Sequence, residues 1–70
     1  MYREFGIRLR QLRLENRYKL KDIAAVCNVS IATVSQWEYS KQEPGLEDLV
    51  KLARFFRTST DDLLDFVHEF

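Results

Sequence analysis

The sequence predicts an all-α domain of five short helices, and three observations predict it. Apolar residues recur at spacings of three and four in five successive segments, the pattern of helices that each bury one face. The breaks between segments carry Asn, Ser, Gly or Pro, residues that end or cap helices. No stretch shows the alternation of a strand, and no repeat or low-complexity run interrupts the pattern. With 70 residues, 46% hydrophobic and 31% charged, the chain reads as one globular domain over residues 1–70 rather than as a disordered segment.

Each element has its own local signal. Phe5, Leu9 and Leu12 lie at i, i+4 and i+7, which predicts a first helix over about residues 2–15, with Asn16-Arg17 as its exit because Asn tolerates the left-handed conformation. Leu20, Ile23, Ala24 and Cys27 share one face of a second helix, followed by Asn28 as a left-handed residue and Val29 as an apolar plug. Ser30 is placed to cap a third helix over about 31–39, which turns Val34 and Trp37 inward. Gln42-Glu43-Pro44-Gly45 is a loop, and Gly45 starts a fourth helix running to about Phe56, with Glu47 and Asp48 in its first turn to suit the helix dipole. Its expected inward face is Leu46, Leu49, Leu52, Ala53 and Phe56. Ser59, with Asp62 three residues on, resembles a capping box for a fifth helix over about 60–70 that turns Leu63, Val67 and Phe70 inward.

Composition narrows the function. No apolar run approaches the roughly 18 residues of a membrane span, and the first residues lack the apolar core of a signal peptide, so the chain is expected in the cytoplasm. The one cysteine, Cys27, leaves no intrachain disulfide and falls where a small buried hydrophobe is due. Net charge is zero but unevenly spread: residues 1–21 hold seven cations and two anions, the remainder four cations and nine anions. Such polarity suits an anionic partner at the amino-terminal end. Chemistry is not indicated. His68 is the one histidine, and Asp61, Asp62, Asp65, His68 and Glu69 read as a capped, solvated helix face rather than a metal or acid–base site. No cofactor, metal, membrane or small-molecule ligand is expected, and the chain is not expected to be an enzyme.

The run Ile23 to Glu38, IAAVCNVSIATVSQWE, resembles the helix-turn-helix of the phage Cro and C1 repressor family, also called XRE-like. Leu9-Arg10-Gln11-Leu12-Arg13 is similar to that family's first helix, Pro44 with Leu49 and Leu52-Ala53 to its fourth, and Ser59 to Leu64 to the start of its fifth. The likeness covers about residues 5–64. It implies a compact five-helix, lambda-repressor-like DNA-binding domain whose helix-turn-helix, formed by helices 2 and 3, spans about residues 19–39. The physics of these positions agrees. Ala24 is small where two helices cross, Val29 pins the turn, and Ser30 opens a helix whose amino terminus presents free amides to phosphate. A helix of this kind enters the major groove with its first residues at the base edges.

Carried onto this chain, the family's base-reading positions are Ile31, Ala32, Thr33 and Gln36. Gln36 can bond adenine through two amide contacts, whereas Ile31 and Ala32 can meet a thymine methyl. Phosphate contacts fall on Arg13, Arg17, Lys19, Ser30, Tyr39, Ser40 and Lys41, and Arg13 with Glu38 corresponds to a structural ion pair of the family. The chain also departs from the pattern. Lys19-Leu20 stands where the family usually has Ser-Gln, so Lys19 cannot cap in the ordinary way, and Lys19 and Lys21 are expected to replace the missing phosphate anchor by charge. Arg17, Asn28 and Arg57 stand where glycine is common.

Double-stranded DNA and a second copy of the chain are therefore the expected partners, in a transcriptional repressor that binds a palindromic operator. The fifth helix, with Phe55, Phe66 and Phe70, is the expected dimerisation element. The competing reading is a protein-interaction module, anti-repressor or antitoxin-like, favoured by zero net charge and by apolar Leu20 and Ile31.

Overall fold

A computed structural model describes residues 3–64. It contains α1 (Arg3–Glu15), α2 (Leu20–Cys27), α3 (Ile31–Glu38), α4 (Leu46–Phe55) and α5 (Thr60–Leu64), with no strand among the described residues. The third and fourth helices stop one residue earlier than expected, at Glu38 and Phe55. Asp65, Phe66, Val67, His68, Glu69 and Phe70 lie outside the described residues, and with them the outer part of the expected fifth helix.

α1 packs against α3 and α5, while α2 packs against α3 and α4. One core results, built from Phe5, Leu9, Leu12, Ile23, Ala24, Cys27, Val34, Trp37, Leu52, Ala53 and Leu63. Burying each of the larger aliphatic side chains contributes about 1.5–3 kcal/mol, which is why the helical spacing survives in so short a chain. Leu46 departs from expectation: it is 76% exposed. It is the first residue of α4, one turn ahead of the residues that reach the core, so its place in the periodic pattern does not bring it inward. Cys27 is buried with Sγ near the Asp48 carbonyl, and burial pushes its thiol up to about 11.

Four helices end in the same way. After α1, Arg17 N–H donates to Leu14 O and Tyr18 N–H to Arg13 O; the same two-bond pattern closes α2, α3 and α4. This is the Schellman motif, and it places one residue in the left-handed region at each end. Those residues are Arg17 (φ 61°), Asn28 (φ 56°), Ser40 (φ 59°) and Arg57 (φ 56°). None is glycine. At the end of α1 the left-handed residue is Arg17, not Asn16, whose side-chain amide instead donates to Leu12 O at 2.8 Å.

Candidate nucleic-acid interface

The outward face of α3 is set by its cap and by its anchor. Ser30 stands before the helix in extended conformation, and its Oγ accepts from the Thr33 N–H at 3.1 Å. The Thr33 hydroxyl lies 2.9 Å from the same oxygen, so Ser30 and Thr33 close the first turn together. At the other end Val34, Trp37 and Glu38 are buried. Three inward residues on an eight-residue helix leave Ile31, Ala32 and Gln36 exposed, with Thr33 half-buried between them. The four expected base-reading residues thus share the outward part of α3, three of them open and Thr33 partly occupied by the cap.

α2 starts without an ordinary cap, because a lysine side chain has no acceptor. Lys19 nonetheless sits at the cap position in extended conformation, and its own N–H donates to Asp22 Oδ2 at 2.7 Å. Half of a capping box therefore forms from the N3 side alone. Asp22 was not among the expected functional residues; the Lys-x-x-Asp spacing was its signal. The arrangement leaves the Lys19 ammonium exposed and unused by the cap.

Arg13 joins α1 to the end of α3. Its Nε and one terminal nitrogen reach the two Glu38 carboxylate oxygens at 2.7 and 3.1 Å, and the other terminal nitrogen donates to Tyr18 O at 3.1 Å. The side chains are only 13% and 2% exposed. A bidentate guanidinium–carboxylate pair is the strong form of this contact, and Glu38 raises the affinity of Arg13 for its proton further. Arg13, expected also at phosphate, has its nitrogens engaged within the protein. Among the other expected phosphate contacts, Arg17, Lys19, Ser30, Tyr39 and Lys41 are exposed and Ser40 is half-buried.

Arg8 reaches Asp62 Oδ2 at 3.0 Å, and the Thr58 hydroxyl donates to the same oxygen at 2.6 Å, tying α1 to the start of α5. Ser59 caps α5 by accepting from the Asp62 N–H at 2.9 Å. Phe55, expected at a dimer interface, is half-buried in an aromatic cluster, 4.8 Å from the Tyr18 ring and 5.2 Å from that of Phe56. At the other end of α4 a groove of about 230 Å³ is lined by Phe5, Glu43, Pro44, Leu46, Leu49 and Leu64. Among the described residues no group of His, Cys, Asp and Glu is placed to hold a metal ion, and no helix is long and apolar enough to cross a membrane.

Comparison with known proteins gives the arrangement its context. The Helix-turn-helix family model matches residues 9–63. The HTH-type transcriptional regulator DdrOP3 of Deinococcus deserti is 40% identical over 58 residues, 83% of this chain and 45% of that protein. The HTH-type transcriptional activator BcrR of Enterococcus faecalis is 34% identical over 61 residues, 87% of this chain and 30% of that one. The chain therefore spans less than half the length of these relatives. Among solved structures, the P22 c2 repressor in complex with a synthetic operator superposes with a TM-score of 0.79 at 32% identity, covering 84% of this chain and 89% of that one.

Proposed function

This chain belongs to the Cro/C1-type helix-turn-helix family of transcriptional regulators, and on that premise we propose that it is a cytoplasmic, sequence-specific repressor that binds double-stranded DNA as a homodimer. The observation that carries the proposal is the outward first turn of α3. Ile31, Ala32 and Gln36 stand exposed on a helix whose start is capped by Ser30 and whose end is held by Arg13 and Glu38. A helix fixed at both ends can be laid into a major groove without losing its shape on contact. Gln36 reads adenine, Ile31 and Ala32 meet thymine methyls, and Thr33 adds a contact through its hydroxyl or methyl. Arg17, Lys19, Ser30, Tyr39, Ser40 and Lys41 hold phosphate, with Arg13 acting chiefly through Glu38. Repression follows from occupancy of an operator.

Dimerisation is proposed at the α4–α5 end, through the fifth helix with Phe66 and Phe70. The exposed Leu46 and the groove it lines beside Pro44 and Leu64 support that surface, whereas Phe55, at the other end of α4, is engaged with Tyr18 and Phe56. Two-fold symmetry then spaces the recognition helices by one DNA turn, roughly 34 Å, and calls for a palindrome.

Selection of bound sequences from random duplex DNA tests all of this at once. A palindromic site with half-sites one turn apart is expected, and Gln36→Ala relaxes preference at one base pair per half-site by about 1–3 kcal/mol. Binding weakens steeply as salt rises. No enriched sequence, or binding indifferent to salt, defeats the proposal. The second reading, a protein-interaction module, draws on the half-exposed Ile31 side chain; it predicts Gln36→Ala without effect on DNA and no enriched site.

A further inference from the structure

Gly6 is buried on α1 where that helix passes the last turn of α3. A Cβ at this position would lie 2.5 Å from the Trp37 carbonyl oxygen, 2.7 Å from that of Glu38 and 2.9 Å from Ser40 Oγ. The first two obstacles are backbone and cannot swing aside. Glycine is required here by space and not by torsion, since its φ is not positive.

The carbonyls that crowd Gly6 belong to the closing turn of the recognition helix. Trp37 O accepts from the Ser40 N–H at 3.2 Å, and the adjacent Gln36 O accepts from the Lys41 N–H at 2.9 Å, with Ser40 held at φ 59°. This turn decides where Tyr39, Ser40 and Lys41 leave the helix. Moving the Trp37 and Glu38 carbonyls outward, from 2.5 and 2.7 Å to the distance a methyl tolerates, would displace the turn and re-aim all three residues. The Arg13–Glu38 pair holds the Glu38 side chain from α1, so the displaced Trp37 and Glu38 carbonyls pass their shift on to the backbone that follows, residues 39–41.

From this geometry we infer that Gly6 is a positioning residue for DNA binding: the close approach it allows between α1 and α3 aims the Tyr39-Ser40-Lys41 turn at phosphate. The inference rests on the DNA-binding reading above and adds a residue that touches no DNA. It separates two parts of the interface, since Ile31, Ala32 and Thr33 lie in the first turn of α3, away from the Trp37, Glu38 and Ser40 atoms that crowd Gly6, whereas Gln36 belongs to the closing turn.

A double-mutant cycle of Gly6→Ala and Lys41→Ala tests it, run on the selected operator across a salt series. The host carries Arg57→Gly, a change outside the proposed contact residues, and trimethylamine N-oxide is added to keep the variants folded. K41A is expected to lower the slope of log affinity against log salt by about 0.9, the loss of one phosphate contact. G6A is expected to lower it by the same amount and to weaken binding about tenfold, the size of one charged hydrogen bond. The double variant is expected to bind no more weakly than G6A alone, and discrimination at the base pairs met by Ile31, Ala32 and Thr33 to be unchanged by G6A. Additive losses, parent-like binding by G6A, or a changed preference at those base pairs would overturn the inference. So would a G6A chain that circular dichroism shows to be unfolded in this host, because glycine would then serve folding alone. A parent chain without salt-dependent binding defeats the DNA-binding reading itself, and that result is visible before any variant is compared.

Discussion

Arg8 and Arg13 leave the same helix and tie it to α5 and to α3 by unlike means. Arg13 meets Glu38 through two bonds, adds a third to the Tyr18 carbonyl, and is nearly dry, with side-chain exposures of 13% and 2%. Arg8 meets Asp62 through one bond, shares it with Thr58, and is partly wet, with exposures of 27% and 38%. Charge is the same in both pairs; dehydration and geometry are not. The Arg13 pair thus fixes the end of α3 through a nearly dry, bidentate contact, whereas the Arg8 pair, which ties α1 to α5, is single and more screened by solvent. A recognition surface has to keep its shape against DNA.

The sharpest way to break this comparison is to remove the acid from each pair. Glu38→Ala strands a largely buried guanidinium and is expected to cost about 3–5 kcal/mol in urea unfolding. Asp62→Ala, at the wetter pair, is expected to cost about 1 kcal/mol or less. Equal losses would show that the two ends are held alike. A smaller effect of opposite sign is expected from the helix ends. Arg57 adopts a left-handed conformation that penalises a side chain, so Arg57→Gly is expected to stabilise by about 1 kcal/mol and to raise Tm by roughly 4–8 °C. Asn28→Gly, at the helix-turn-helix end, is expected to change stability by only a few tenths of a kcal/mol, since Asn tolerates that conformation. Thermal melts of the two variants sharpen the contrast between the ends.

The mildest test concerns the seam between α2 and α4, where Cys27 faces Asp48. Its thiol keeps its proton up to about 11 in the folded chain, whereas an exposed thiol begins to ionise near 9. Between those values the unfolded state binds fewer protons, so stability falls as pH rises through the window. Cys27→Ala is expected to remove that part of the slope, read as the difference between two stability–pH curves from pH 8 to 11. Parallel curves would show that Cys27 does not feel its burial.

Reading along the chain reached most of the fold for an identifiable reason. The helices are short and each buries one face, so spacing alone locates Phe5, Leu9, Leu12, Ile23, Ala24, Val34 and Trp37 in the core. Cap chemistry is equally local, and Ser30 and Ser59 accept from the amides three residues on, at 3.1 and 2.9 Å. Leu46 misled because periodicity is blind to where along a helix contact with the core begins. Phe55 looked surplus because the partner that half-buries it, Tyr18, lies outside every helix and carries no periodic signal.

What the sequence by itself determined is the set of helices, their inward faces, their caps and, through its likeness to a known family, the residues of α3 that face outward. These depend on contacts within three or four residues, and such contacts are written into the order of side chains. The tertiary structure alone decided how firmly the Arg13–Glu38 pair is held, that Arg8 pairs with Asp62, and why position 6 admits no side chain. Each of those depends on a meeting of segments distant in the chain. Arg8 finds Asp62 across 54 positions, and Gly6 meets the Trp37 carbonyl only because α1 and α3 share one core. Spacing along a chain carries no record of such distances.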